Sequence, residues 1–588
     1  MAPHIDQSER PANGNALLTI DRLSFWYGHG KNSNATLNNV SLDVAKGEVV
    51  ALVGESGSGK STLINCIIGL HSTSAAHMNA DTLRFNDIDL RSLSSREWRK
   101  LRGRHIGYVS QDPVGSLNPL LPVGDQLLEA LRFFRPELGR VQARNLVLDQ
   151  LRNVGFPEPQ TIYGRYPHQL SGGMNQRVSI AAALSGEPEL LLADEPTSAL
   201  DVSVQKQVLD HLSDLVSRTG TSMLFITHDL AVAADRAERI VVLKDGHVVE
   251  HGAVGRVLGN PRHNYTQALL AAAPFLNDHA ASTTQRPPLP RLDNALLQVR
   301  GLHKNFSSRD GRSIAAVKGV DLDVLPGETV CVVGESGSGK TTLARSILKL
   351  NDPEAGTILF NGYDVPTLRK ADLKRYRREA QMVYQNPFSS LDLRFNVEAI
   401  LREPLSVHGI GTRSEQRAEA RRMLDLVGLP DTFLSRRPGE LSGGQRQRIA
   451  IARALITAPR LLVLDEAVSA LDVSVQARIL ELLGSIQRER GLAYLFITHD
   501  LSVARSFADR VYVMKTGQVI ESGHASSILN NPEHEYTRLL ISAAPGIMAH
   551  KKREAALSDL QPPSIAENET PLPTDEAARY LHQQKAKA

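Results

Sequence analysis

The chain has 588 residues, enough for several domains at roughly 100–200 residues each. It is 41% hydrophobic and 22% charged with a net charge of +3, an ordinary globular balance without the concentrated basic face expected of a nucleic-acid binder. Two cysteines, Cys66 and Cys331, exclude a cysteine-ligated zinc or iron–sulfur site and read as buried thiols of a reducing compartment.

In chain order, residues 1–15 (MAPHIDQSERPANGN) are polar and lack the apolar core of a secretion signal, so they read as a flexible tail. No apolar run reaches the ~20 residues of a membrane span, which predicts a cytoplasmic chain. The β-rich runs ALLTIDRLSFWY and VSLDV come first. The apolar strand EVVALV then feeds GESGSGKS (Gly54–Ser61), and STLINCIIGL continues with helical spacing. LSGGMNQR (Leu170–Arg177) follows, then LLLADE and MLFITHDL, whose apolar runs without alternation predict buried parallel strands. The proline-rich polar stretch 277–294 predicts a linker.

Beyond the linker the order repeats: ALLQVRGLHKNF, VDLDV, ETVCVV, GESGSGKT (Gly334–Thr341), TTLARSILKL, LSGGQRQR (Leu441–Arg448), LLVLDE and YLFITHDL. The octapeptides lie 280 residues apart, while LSGG, the Asp-Glu pair and ITHDL are each offset by 271. A change in loop length within a duplicated module produces that pattern. The modules are expected over 16–259 and 295–530, with a largely disordered tail over 547–588 whose last residues, AARYLHQQKAKA, could form a short helix.

A strand, a Gly-x4-Gly-Lys-Ser/Thr loop and a helix, in that order, present backbone N–H groups to phosphate. The candidates are Gly54, Gly57, Gly59, Lys60, Ser61 and Thr62, and again Gly334, Gly337, Gly339, Lys340, Thr341 and Thr342. Lys60 and Lys340 are expected at the β- and γ-phosphates of ATP, with the Ser61 and Thr341 hydroxyls on Mg²⁺. Asp194 and Asp465, at strand ends, are expected to hold Mg²⁺ through its water shell. Glu195 and Glu466 are placed to orient or deprotonate a water.

With LSGG between those landmarks, the chain resembles an ABC-transporter ATPase carrying two nucleotide-binding domains in tandem. The resemblance implies an α/β fold of two P-loop NTPase domains. Each would have a RecA-like core, an antiparallel β subdomain and a helical signature subdomain. It further implies head-to-tail pairing, in which Ser171, Gly172 and Gly173 of one half, and Ser442, Gly443, Gly444 and Gln445 of the other, cap the ATP held by the opposite loop. Gln111 and Gln385 resemble the glutamine that senses Mg²⁺ and the membrane partner. Ser198–Asp201 and Ser469–Asp472 resemble the D-loop, and His228 and His499 the switch histidine. Tyr27 and Phe306 resemble the aromatic that stacks on adenine. Two departures stand out: Met174 where glutamine is usual, and Ala467-Val468 where Pro-Thr is usual.

QDPVGSLNP, QNPFSSLDL and the paired motifs NPRHNYTQALLAAAP (Asn260–Pro274) and NPEHEYTRLLISAAP (Asn531–Pro545) resemble the dipeptide, oligopeptide and nickel importer ATPases, with Leu393 departing from the usual proline. The C-terminal motifs are expected over 260–276 and 531–546. That resemblance implies a Mg²⁺-dependent ATPase, peripheral on the cytoplasmic side of the inner membrane. Its partners would be two permease subunits, docking beside Gln111 and Gln385, and an extracytoplasmic substrate-binding protein, with no nucleic acid and no iron–sulfur cluster. The alternative is a soluble ABC ATPase acting on ribosomes, which would usually carry a long charged helical linker. A sugar-importer motor would often have one degraded loop, and a DNA-repair ATPase would need zinc cysteines.

Overall fold

The computed structural model describes residues 16–28, 35–71, 76–197, 200–271, 295–307, 313–385, 390–469 and 471–546. The expected N-terminal tail, linker, C-terminal tail with its final helix, and the D-loop positions Ser198, Ala199 and Ala470 lie outside the described residues.

Each half is built on a six-stranded sheet. In the first half the strand order is His247–Ala253, Arg239–Lys244, Val49–Val53, Ser222–Thr227, Leu190–Asp194 and Ile106–Val109. All neighbours are parallel except the edge hairpin of Arg239–Lys244 with His247–Ala253. The second half repeats the order as Gln518–His524, Arg510–Lys515, Thr329–Val333, Ala493–Thr498, Leu461–Asp465 and Ala380–Val383.

The central strands of each sheet are almost wholly apolar because both of their faces are covered. Leu190, Leu192, Leu224 and Ile226 pack into a core with the helix Lys60–Ile67 and an antiparallel sheet built around Ala16–Tyr27. Their sequence neighbours Leu191, Ala193, Met223 and Phe225 pack on the opposite face, against the helices Val123–Phe134, Arg140–Asn153 and Gly172–Leu184. Leu461, Val463, Leu495 and Ile497 divide from Leu462, Leu464, Tyr494 and Phe496 in the same way. A side-chain period of two, with an apolar layer on each side, leaves no polar alternation to read.

The helix after each loop is shorter than its apolar run. The first ends at Ile67, because Gly69 takes a φ of 64° and packs against Trp98, where a Cβ would lie 2.5 Å from the indole. Both cysteines are free and buried, and burial pushes the Cys66 thiol up to about 12.

Register determines where chemistry can occur. Val53 pairs with Thr227, and Asp194 with Ile226, so the carboxyl ends of three neighbouring strands finish level. The phosphate loop, Asp194-Glu195 and His228 therefore emerge at one edge of the sheet, beside the strand where the order reverses. In the second half Val333 pairs with Thr498 and Asp465 with Ile497, which assembles the same edge.

Two further helices cross between halves. Asn264–Ala271 packs on Val473–Arg490 of the other half, and Glu535–Ala543 packs on Val202–Thr219. The Gly546 N–H donates to Asp235 across the same boundary at 2.8 Å.

Candidate functional site

The glycines of the loop are dictated by sterics. A Cβ on Gly54 would sit 2.2 Å from the Leu243 carbonyl oxygen, and one on Gly334 equally close to that of Met514. Gly59 and Gly339 have φ of 104° and 102°, a region that favours glycine, and they cap the helices beginning at Lys60 and Lys340. Gly57 and Gly337, also at positive φ, open onto free space.

Each lysine is buried and arches over its own loop. Lys60 Nζ donates to the Gly54 and Glu55 carbonyls at 2.7 and 2.8 Å, and Lys340 Nζ to those of Gly334 and Glu335 at the same distances. Burial lowers both lysines below the usual value, against the pull of nearby carboxylates. Thr341 Oγ1 donates to Asp465 at 3.0 Å, and the Ser61 hydroxyl bonds Asp194. Burial raises both aspartates, an effect that the hydroxyl bonds oppose. Thr62 and Thr342 follow in the first turn, half-buried.

Glu195 and Glu466 have φ of 43° and 46°, the left-handed region that few non-glycine residues adopt. Their N–H groups donate to the Ile226 and Ile497 carbonyls at 3.0 and 2.8 Å, which holds the strained turn. Gln111 Nε2 donates to Glu195 Oε2 at 3.0 Å, and Gln385 Nε2 to Glu466 Oε2 at 2.6 Å. His228 and His499 face the same carboxylates, Nδ1 to oxygen, at 3.3 Å each. Burial opposes the charge on each glutamate, but its histidine, the loop lysine and the glutamine together hold the carboxyl below the ordinary 4.5. Burial likewise opposes charge on each imidazole, and the facing glutamate raises it above 6.5.

The halves meet at these loops. Asp472 Oδ1 accepts from both the N–H and the hydroxyl of Ser56, each at 3.0 Å. Ser203 Oγ donates to Glu335 at 2.5 Å, and Ser474 Oγ to Glu55. Asp201 acts on Lys340 through space, and Asp472 on Lys60. A cavity of about 400 Å³ lies between the halves, bordered by His228, His499, Glu195 and Arg488.

The signature serines cap their own helices. Ser171 accepts from Met174 N and Ser442 from Gln445 N, both at 3.4 Å. Gln445 Oε1 returns the bond by accepting from Ser442 N at 3.0 Å, a reciprocal cap that Met174 cannot make. Ser171, Gly172 and Ser442 are exposed; Gly173 is buried against Val204, while Gly443 and Gly444 are half-covered. Of the N-terminal aromatics, Phe25 belongs to the core and Trp26 stacks on His77, which leaves Tyr27 outward at 48% exposure; Phe306 is 43% exposed.

Two groups of functional interest were missed from sequence. Tyr265 and Tyr536, in the C-terminal motifs, accept from the Glu55 and Glu335 N–H groups at 3.0 and 3.3 Å. Glu250 and Glu521 hold those motifs by accepting from the backbone of Arg262 and His263, and of Glu533 and His534.

A cradle in which Gly54, Gly59, Gly334 and Gly339 leave no room for a Cβ, a buried lysine and a hydroxyl–carboxylate pair fit a triphosphate with its cation. Among the described residues no cluster of three or more His, Cys, Asp or Glu could hold a metal alone. No described helix is long and apolar enough to cross a membrane.

Comparison with known proteins gives the family. The ABC transporter family matches residues 37–198 and 317–469, and the C-terminal region of oligopeptide/dipeptide transporters matches 249–296 and 520–570. The chain is 40% identical over 597 residues to the glutathione import ATP-binding protein GsiA of Salmonella choleraesuis (strain SC-B67), covering 96% of this chain and 94% of the relative. It is 40% identical over 599 residues, with the same coverage, to GsiA of Escherichia coli O157:H7. The dimeric post-hydrolysis structure of the ATP-binding cassette MJ0796 bound to ADP and Pi is 31% identical, with a TM-score of 0.37 over 39% of this chain and 98% of that one. None of these relatives supports the ribosome-acting alternative. The chain belongs to the ABC transporter family, as an ATP-hydrolysing subunit whose two cassettes each carry the oligopeptide/dipeptide-transporter C-terminal region.

Proposed function

We propose that this chain is the motor of an importer for peptides or related small compounds, the class that includes glutathione import, and that it binds two ATP molecules between its halves. The observation that carries this reading is the crossing of Asp472 onto Ser56, which puts the D-loop aspartate of one half on the phosphate loop of the other. The first site joins Lys60, Gln111, Asp194, Glu195 and His228 with Ser442, Gly443, Gly444 and Gln445. The second joins Lys340, Gln385, Asp465, Glu466 and His499 with Ser171, Gly172 and Gly173. Tyr27 and Phe306 are the outward aromatics of their strands, about half exposed, as a residue that stacks on adenine would be.

Mg²⁺ would be held by Ser61 and Asp194, or Thr341 and Asp465, with Gln111 or Gln385 alongside; it supplies neutralisation of phosphate charge. Lys60 and Lys340 bind and orient the phosphates. Glu195 and Glu466, ionised and fixed by glutamine and histidine, accept the proton of the attacking water at a carboxylate oxygen. His228 and His499, each with Nδ1 3.3 Å from that carboxylate, steady it.

The chain would act at the cytoplasmic face of the inner membrane with two permease subunits and an extracytoplasmic binding protein. Purification of the full chain from detergent-solubilised membranes tests this. Permeases should accompany it, with ATPase activity abolished in the Glu195→Gln/Glu466→Gln double variant. Copurification with ribosomes, or full activity in that variant, would refute it.

A further inference from the structure

Each phosphate loop is touched by its own C-terminal motif and by the other half, and both contacts meet at a single residue. Tyr265 Oη accepts the Glu55 N–H at 3.0 Å, and the Glu55 side chain accepts from Ser474 of the other half. Tyr536 Oη accepts the Glu335 N–H at 3.3 Å, and Glu335 accepts from Ser203 at 2.5 Å. The rings are fixed as well: Lys244 Nζ lies 4.9 Å from the Tyr265 centroid and Lys515 Nζ 4.4 Å from that of Tyr536. The tyrosine helices pack on the opposite half's helices Val473–Arg490 and Val202–Thr219, which carry Ser474 and Ser203. A tyrosine, a loop glutamate and an opposite serine thus recur as a chain of contacts in both halves, despite different spacing in sequence.

We propose that Tyr265 and Tyr536 are positioning residues for ATP turnover, each fixing its loop glutamate so that Glu55 latches Ser474 and Glu335 latches Ser203 when the halves close. The inference rests on the reading of two sites shared between halves. Anchoring the N–H at the second loop residue sets the path of the amides that follow, which are the ones that face phosphate. It also aims the carboxylate across the boundary. Burial pushes both phenols further up, so each stays a neutral hydroxyl, and its oxygen accepts the loop N–H.

In the full-length chain, Tyr265→Phe and Tyr536→Phe retain the buried ring and remove only the hydroxyl. KM for ATP should rise roughly two- to tenfold in each, the equivalent of one lost hydrogen bond, with the nucleotide-free melting temperature unchanged. Adding Ser474→Ala to Tyr265→Phe should raise KM little further, because both act through Glu55. An unchanged KM in both tyrosine variants, a lowered melting temperature with normal KM, or full additivity with Ser474→Ala would overturn the positioning role. Normal tyrosine variants alongside a dead Glu195→Gln/Glu466→Gln control would remove this role alone. Full activity in that control would remove the shared-site reading beneath it.

Discussion

Asp472 accepts two hydrogen bonds from Ser56, one from its N–H and one from its hydroxyl, across more than four hundred residues of chain. The contact is exposed, so it contributes about 1 kcal/mol at most rather than the full value of a buried charged pair. Asp472→Ala should therefore weaken ATP binding at the first site by about fivefold. Titration of a fluorescent ATP analogue checks this; unaltered affinity would show that the contact plays no part in nucleotide binding.

Glu195 and Glu466 share one geometry: left-handed backbone, glutamine at one oxygen, histidine 3.3 Å away. Glu195→Gln and Glu466→Gln should each reduce steady-state ATP turnover by about a hundredfold or more if the sites fire in alternation. Phosphate release measured on each single variant decides this. A variant that retains half of the activity would mean that the sites turn over independently.

The glutamate–histidine pairs fix the pH response. Each glutamate titrates below 4.5 when folded, so its stabilisation is complete above that value and disappears as pH falls through the depressed pKa. Each histidine titrates above 6.5 when folded, so its contribution is complete below 6.5 and disappears as pH rises through the raised pKa. His228→Gln should lower the melting temperature most between pH 4.5 and 6.5 and least in alkali. Differential scanning fluorimetry across pH checks it; a difference that grows with pH would reverse the assignment.

Met174 leaves the Ser171 cap without the reciprocal bond that Gln445 gives Ser442. Met174→Gln should complete the cap and stabilise that helix by about 0.5 kcal/mol. The readout is urea denaturation followed by circular dichroism. Destabilisation would show that the methionine's packing outweighs the cap.

Much of this was legible because the chain must satisfy local rules. The glycine loops are readable because a Cβ at Gly54 or Gly334 would meet a carbonyl, and the central strands because both of their faces are buried. Asp194, Glu195 and His228 were found from their order, and register explains why they meet. The left-handed turn at Glu195 carries no residue signal, since glutamate has no preference for it. Neither Tyr265 nor Asp472 announces its partner, because those contacts bridge elements far apart in sequence. Repetition of a tyrosine in both C-terminal motifs was the one available hint. Tyr27 was read from the resemblance alone; its neighbours Phe25 and Trp26 lie in the core and against His77, which leaves Tyr27 outward.

The unequal helix caps have a consequence for how this chain can evolve. Two identical polypeptides forming a dimer inherit every change twice, so a blemish in one signature spoils both chambers together. Here a methionine stands at one signature and a glutamine at the other, encoded separately. Selection can retune one chamber while leaving its neighbour untouched.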